Sequence, residues 1–552
     1  MINFFLKIAF LFVFISGSHI SLGQLFHKSS DFTRADSLRG TLNENRLAYQ
    51  IKTYHLDVEV MPEEKAIKGS NRFHIVAEHD FEKIQIDLFE NLHIDSVVYE
   101  NANLSYEKEF NSVLIHFPEV IKKDTNTFFT VYYSGKPQEA KQAPWDGGVV
   151  WQKDSQGKDW IATACQGLGA SVWWPTKDHQ SAKAEEVTLT VTTPDGVENI
   201  SNGRLVKKEK LAKGKQKTTW KVSYPINNYN VALNIGDYIH RHSVYEGEGG
   251  ELNLDYFVLR ENEDKIDYLD KEARRTLEAF EYWFGPYPFY QDGYKLVETP
   301  YLGMEHQSAV AYGNKFAHGY LGGDRSGTGW GLKWDFIIVH ESGHEWFGNN
   351  ITSKDIADMW IHEAFTSYAE ALFVEYFYGK KAGQEYMYGT KKNILNDQPI
   401  QGPYGVNTEG SGDMYIKGAV VLNQLRTLLE DDEKWRELLR SLNREFRYST
   451  TDYEEVVRYI STFTGLELEG FFTQYIKTKE IPVLEIRENQ GVLEARWKSS
   501  VPDLKMPIHL GPKGELSLIW LDTEFKDIQL SAVDLGNLQI DDKNYYIQKQ
   551  VL

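Results

Sequence analysis

The 552-residue chain has a single cysteine, Cys165, so no disulfide can form within it, and buried apolar cores must hold the fold together. Basic residues are also short, 60 Lys and Arg against 80 Asp and Glu, for a formal charge of -20. A phosphate backbone or an anionic membrane surface is repelled by such a chain on average, so no nucleic acid partner is expected. Long apolar runs are confined to the start, MINFFLKIAFLFVFISGSHISLGQ. There Lys7 precedes an apolar stretch from Ile8 to Ile15, and Ser21-Leu22-Gly23 offers a small-residue exit. The apolar stretch falls short of the ~20 residues that span a bilayer. Residues 1–23 are therefore expected to be a secretory signal rather than an anchor, giving a periplasmic or extracellular protein with no stable membrane partner after cleavage. No internal repeat and no low-complexity tract breaks the chain.

What is present is a large apolar complement, 41% hydrophobic and 14% aromatic, enough for several packed cores. Short alternating runs such as YHLDVEV, RFHIVAE, KIQIDLF and FFTVYYSG predict a mostly antiparallel β domain over residues 24–255, its boundary close to EGEGGE. Helical spacing then takes over in KIDYLDKEARRTLEAFEYWFG, which Gly285 and Pro286 end. Two further helices are expected, one from Lys333 to Phe347 and one, ADMWIHEAFTSYAEALFVEYFYG, ending at Gly379. Alternation returns in VLEIRE, LEARW and LSLIWL. The expected architecture is thus multidomain α+β: the β domain, an α-rich domain over 256–480 and a small β domain over 481–552.

The chemistry lies in VHESGHEWFGNN. His340 and His344, four apart on a helix, project from one face and can offer two imidazole nitrogens to one metal ion, with Glu341 within reach of a water on that ion. A catalytic zinc site normally has three protein ligands and one open position, and Glu363, nineteen positions after His344, is the candidate third. Glu370, seven residues after Glu363 and so on the same helical face, is a candidate to orient a ligating histidine; Glu345 and Asp358 have weaker claims, and His362 is read as structural. The glycine-rich GYLGGDRSGTGWG lacks the Lys-Ser/Thr ending of a phosphate loop and is read as a mobile loop beside the site.

HESGHEWFGNNIT followed by WIHEAFTSYAE resembles the M1 family of zinc aminopeptidases, gluzincins with His-Glu-x-x-His, eighteen residues and then Glu. The resemblance covers most of the chain, since YHLDVEV and NVALNIGDY look like the family's saddle-like N-terminal β domain. It implies a thermolysin-like catalytic domain, one zinc ion and peptide substrates. The family's Gly-x-Met-Glu-Asn strand is matched by Leu302-Gly303-Met304-Glu305-His306, so Gly303, Met304 and Glu305 would lie along the substrate, with Glu305 on its free amine. The family's Tyr-x-Lys-Gly is matched from Tyr415 to Gly418, which implies an oxyanion role for Tyr415; Glu341, in reach of a water on the ion, is the expected general base.

The likeness is incomplete. Where the family usually has Gln-x-Glu, this chain has Gln166 and then Leu168, so Gln166 would meet the substrate without the second acid, unless Asp178 folds back to supply it. The helical domain that many relatives append is also missing, which suggests a secreted bacterial type with an open site unless a loop or an oligomer covers it. The implied function is a zinc aminopeptidase removing N-terminal residues. The alternatives are a zinc endopeptidase with a relaxed need for a free N-terminus, a catalytically silent secreted zinc-binding protein and, as a minor branch of the family, epoxide hydrolysis.

Overall fold

The computed structural model describes residues 31–528 and 535–552; the expected signal segment lies outside them. The first strand, β1 (Tyr49–Met61), shows how alternation becomes a sheet. Its buried side chains are Tyr49 and Ile51, then Tyr54, Leu56, Val58 and Val60. The change of phase falls at a register shift between Ile51 and Thr53 in its pairing with β2 (Ala66–Ala77). An extra residue there turns the following side chains back to the core.

β1 pairs antiparallel with β2 and parallel with β3 (Glu186–Pro194), within an eight-stranded sheet that is otherwise antiparallel. One apolar core underlies this region, with Trp173 and Trp174 fully buried in it. It also buries Arg46, whose guanidinium reaches both oxygens of Asp87 at 2.6 and 2.7 Å.

A five-stranded sheet carries the chain into the helical region, in the order β4 (Tyr238–Gly247), β5 (Gly250–Leu259), β6 (Tyr294–Glu298), β8 (Val310–Tyr312), β7 (Gly303–Met304). β7 is an edge strand, and an edge leaves backbone donors and acceptors free. Helix α1 (Ile266–Phe284) packs on this sheet and ends at Gly285.

The next helix is shorter than its sequence suggests. Residues Trp330–Lys333 form a separate 3-10 turn and Trp334 is extended. Asp335 then caps α2 (Phe336–Gly343) by accepting from the amides of Ile337 and Ile338. His344 is the C-cap of α2 but keeps helical angles (φ -65°, ψ -19°), so the four-residue spacing still sets both histidines on one face. Helix α3 (Trp360–Tyr378) follows and ends at Gly379 as expected. It packs on α4 (Asp413–Leu429) with very little room between them: a Cβ on Gly418 would stand 2.5 Å from that of Ala364.

The final strands, among them Val483–Asn489, Val492–Lys498 and Met506–Pro512, do not enclose a core of their own. Leu484, Trp497, Met506 and Ile508 belong to the same continuous cluster as Leu425, Phe472 and Tyr475 of the helical region. Among the described residues, no helix is long and apolar enough to cross a membrane.

Candidate metal centre and substrate cleft

α2 and α3 bring three donors together. His340, His344 and Glu363 each offer one atom within 4.8 Å of the others, and all are buried. Glu363 Oε2 stands 3.7 Å from His340 Nε2 and 3.4 Å from His344 Nε2, and it has no hydrogen bond among the described residues. Two donors each about 2.1 Å from one ion at the tetrahedral angle are about 3.4 Å apart, so the spacing and the orphaned oxygen both fit a shared metal.

The other ring nitrogens are committed. His340 Nδ1 donates to Glu370 Oε1 at 2.8 Å, and Tyr386 holds the second oxygen of Glu370 at 2.6 Å. His344 Nδ1 donates to the carbonyl of Phe347 at 3.0 Å, with Thr366 Oγ1 at 3.2 Å. Each bond fixes the tautomer that turns Nε2 towards Glu363.

The local field favours positive charge here. Burial alone would lower the pKa of His340, but the carboxylates of Glu363 and Glu370 beside it outweigh that and raise the value to about 10. His344 likewise stands raised to about 9, against burial, through the charge of Glu363. Glu363 is buried, which opposes ionisation, yet the two histidines hold it far below the usual carboxylate range. A site that draws protons onto both imidazoles would hold a divalent cation in the same field.

Glu341 faces the cleft from α2. Burial raises its carboxyl to about 7, while His340 and His344 oppose the rise. Gly303 on β7 lies against it, since a Cβ there would be 2.8 Å from Glu341 Oε1 and 2.7 Å from Ile337 Cγ2. Tyr415 opens onto the cleft from the first turn of α4, its ring 6.1 Å from that of His340, and burial raises its phenol well above the ordinary value.

The far end is built around Glu305. Its Oε1 accepts from Gln166 Nε2 at 2.6 Å and from the Tyr229 hydroxyl at 3.0 Å, and its backbone carbonyl accepts from Asn349 Nδ2 at 2.8 Å. Gln166 Nε2 also lies 3.3 Å from Glu363 Oε1, so one amide bridges the β region and the metal donors. Met304 is buried beneath this end, in a small apolar cluster with Ala162, Ala164 and Tyr301 that joins the two regions. Gln166, Met304 and Glu305 line one open cleft together with Glu341, Tyr415 and the three metal donors.

Other expected residues lie elsewhere. Asp178 does not reach the cleft: its Oδ2 accepts from the amide and hydroxyl of Ser171 and faces Arg39 at 3.6 Å. The backbone carbonyl of Leu168 accepts from Arg39, and its side chain packs against Gly147. Glu345 accepts from the amide of Ser308, and Asp358 ties down Trp360, Gln401 and Tyr453, so neither orients a histidine. His362 Nε2 accepts from the amide of Ser353 at 2.8 Å, a structural bond. The glycine-rich segment does flank the cleft, through Tyr320 and Arg325. Sequence reasoning missed Tyr229, Tyr386, Arg325 and Glu409. Glu409 lines the cleft with Oε1 3.4 Å from the Cβ position of Gly167, so an acid from the loop before α4 does stand against the residue that follows Gln166.

Comparison with known proteins gives the same picture. The Peptidase M1 N-terminal domain matches residues 50–229 and the Peptidase family M1 domain matches residues 269–475. Aminopeptidase B of Rattus norvegicus is 24% identical over 424 residues, 73% of this chain and 60% of its own length. Endoplasmic reticulum aminopeptidase 1 of Mus musculus is 23% identical over 62% of this chain and 37% of its own. The chain thus spans 60% or less of these two relatives. Among solved structures, the M1 zinc metallopeptidase of Deinococcus radiodurans superposes with a TM-score of 0.66 at 20% identity, covering 79% of this chain and 95% of that one. A form of that protein bound to a Tyr-Ser-Ala substrate gives 0.65 at 19%. With both domains matched in order along the sequence, and the donor triad assembled between α2 and α3, the chain belongs to peptidase family M1.

Proposed function

We propose that the chain is a zinc-dependent aminopeptidase that removes the N-terminal residue from peptides. The observation that carries this reading is the position of Glu305, a carboxylate pinned by Gln166 and Tyr229 at one end of the cleft, next to the His340–His344–Glu363 donors. A carboxylate there pairs with a free α-ammonium through a charge-assisted bond, whereas an internal peptide bond would leave it without a cationic partner.

Zinc held by His340, His344 and Glu363 would supply Lewis acidity towards the scissile carbonyl and make a water at the site more acidic. Glu341, buried and without a lysine or arginine partner among the described residues, takes the proton of the attacking water and passes it to the departing amine. The Tyr415 hydroxyl donates to the carbonyl oxygen as charge builds on it, a contribution on the order of 3 kcal/mol for one such donor. Glu305 and Gln166 hold the amine so that the first peptide bond, and no other, lies beside Glu341. Glu370 and Tyr386 keep the His340 ring turned towards Glu363. Export to the periplasm or the extracellular space belongs to the same reading, because the first 23 residues have the composition of a secretory signal.

The test is a peptide panel with free and acetylated N-termini, assayed with and without a chelator and after zinc is restored. Free-amine peptides should lose one residue at a time, the chelator should abolish this, and zinc should return it. Acetylated peptides cleaved as fast as free ones would replace the reading with an endopeptidase.

A further inference from the structure

Among the described residues, one arginine and no lysine lines the cleft, beside several acids. Arg325, from the glycine-rich segment, shares it with Glu305, Glu341, Glu363 and Glu409. Among the described residues its guanidinium makes no ion pair or hydrogen bond; only its backbone carbonyl accepts, from Asn393. It rests instead on two rings, with Cζ 5.0 Å from the centroid of Phe336 and 5.4 Å from that of Tyr320. Aromatic faces hold a guanidinium in place while leaving its in-plane donors free for a planar anion.

The segment that presents Arg325 is bonded into place. Asp324 accepts from the amides of Ser326 and Gly329, Tyr320 and Gly323 pair through their backbones, and the amide of Leu321 donates to Asn314. The trajectory of the backbone at Arg325 is therefore set before any ligand arrives.

Position along α2 gives the cation its meaning. Phe336 begins the helix and stacks on His340 (5.4 Å, 12°), while His344, at the helix end, neighbours Glu305. Arg325 and Glu305 thus lie at opposite ends of the metal donors. Eight residues of helix rise about 12 Å. Two or three extended peptide residues, at roughly 3.3–3.6 Å each, cover that length with a hydrogen bond at either end.

We infer that Arg325 binds a carboxylate on the leaving side of the substrate, which makes the cleft selective for short peptides whose negative charge lies one or two residues beyond the cleaved bond. The inference deepens the aminopeptidase reading and rests on it for direction, since the amine end must be Glu305. The carboxylate is either the C-terminus of a di- or tripeptide or an acidic side chain at its second or third position.

The test compares neutral tripeptides with a free C-terminus, the same tripeptides as C-terminal amides, and amides carrying Asp or Glu at the second or third residue. The wild type should favour the free acid over the amide by about 10- to 100-fold in kcat/KM, expressed mainly in KM. Arg325→Gln should bring that ratio close to one. Recovery of rate by the acidic amides would identify the side chain as a second source of the same charge. Binding of the same peptides to zinc-loaded Glu341→Gln protein, with and without Arg325→Gln, gives the acid-to-amide ratio without turnover. An Arg325-dependent binding ratio, together with a zinc-loaded wild type that cleaves none of these peptides, would support this site while overturning the peptidase reading. A ratio unchanged by Arg325→Gln, or an equal fall for acid and amide, would overturn the carboxylate site.

Discussion

Replacing Gly303 with Ala tests whether Glu341 is held where the mechanism needs it. The added methyl would meet Glu341 Oε1 at 2.8 Å and Ile337 Cγ2 at 2.7 Å, while ordinary contact begins near 3.4 Å. Ile337 is buried in α2 beneath β7, so the carboxylate is the part that can give, by about 0.6 Å. A displacement of that order at a proton-transfer group lowers kcat by about 10- to 100-fold, and overpacking costs roughly 1–3 kcal/mol of stability. The assay is kcat on a saturating free-amine peptide, with thermal unfolding and bound zinc measured on the same sample. Glu341→Asp should be less damaging in the Gly303→Ala background than in the wild type, because the shorter acid leaves room for the methyl. Wild-type kcat and stability in Gly303→Ala would refute the claim that this contact positions the base.

Glu370→Gln should weaken zinc binding by about 10- to 100-fold in chelator competition, because the carboxylate that orients His340 and answers Tyr386 is lost. Tyr229→Phe removes one of two side-chain donors to Glu305, so KM for free-amine peptides should rise several-fold with kcat falling less; steady-state kinetics decide it. Asp237 pairs with Arg260 and Lys158, and hydrogen bonds from Arg260 first hold its pKa down to about 2. A depressed carboxylate stabilises the fold fully above its unfolded value near 4 and loses that contribution as pH falls through about 2. Asp237→Asn should therefore destabilise by about 1–2 kcal/mol at pH 7 and by progressively less below pH 4, read from denaturant melts.

The site was legible in the sequence where one helix carried it. The spacing of His340 and His344 needs only helical periodicity, and it survives even though α2 begins at Phe336 and His344 serves as its cap. Glu363 and Glu370 share α3, so their common face was equally readable. The amine end was only half visible. Glu305 and Gln166 came through the likeness to the M1 family, but Tyr229 and Glu409 arrive from a short turn and a loop with no periodicity to reveal them. Asp178 was a reasonable substitute by distance along the chain, yet Ser171 and Arg39 engage it first, and no local pattern announces a competition between side chains 7 and 139 residues apart. The same limit applies to the C-terminal strands. Their alternation shows that they are strands, but not that their apolar faces complete the core of the helices.

The solitary cysteine makes the joint between the two halves observable. Cys165 is buried in the β-region core, and burial raises its thiol far above the usual range, so a thiol reagent should find no thiolate in the native protein. It directly precedes Gln166, the amide that reaches across to Glu305 and Glu363. Any opening that lifts this segment out of its packing exposes the sole sulfur of its kind in the chain and withdraws the amide from the cleft in the same movement. The labelling rate of the unmodified protein therefore becomes a clock for how often the two halves part, and a ligand that bridges them should slow it.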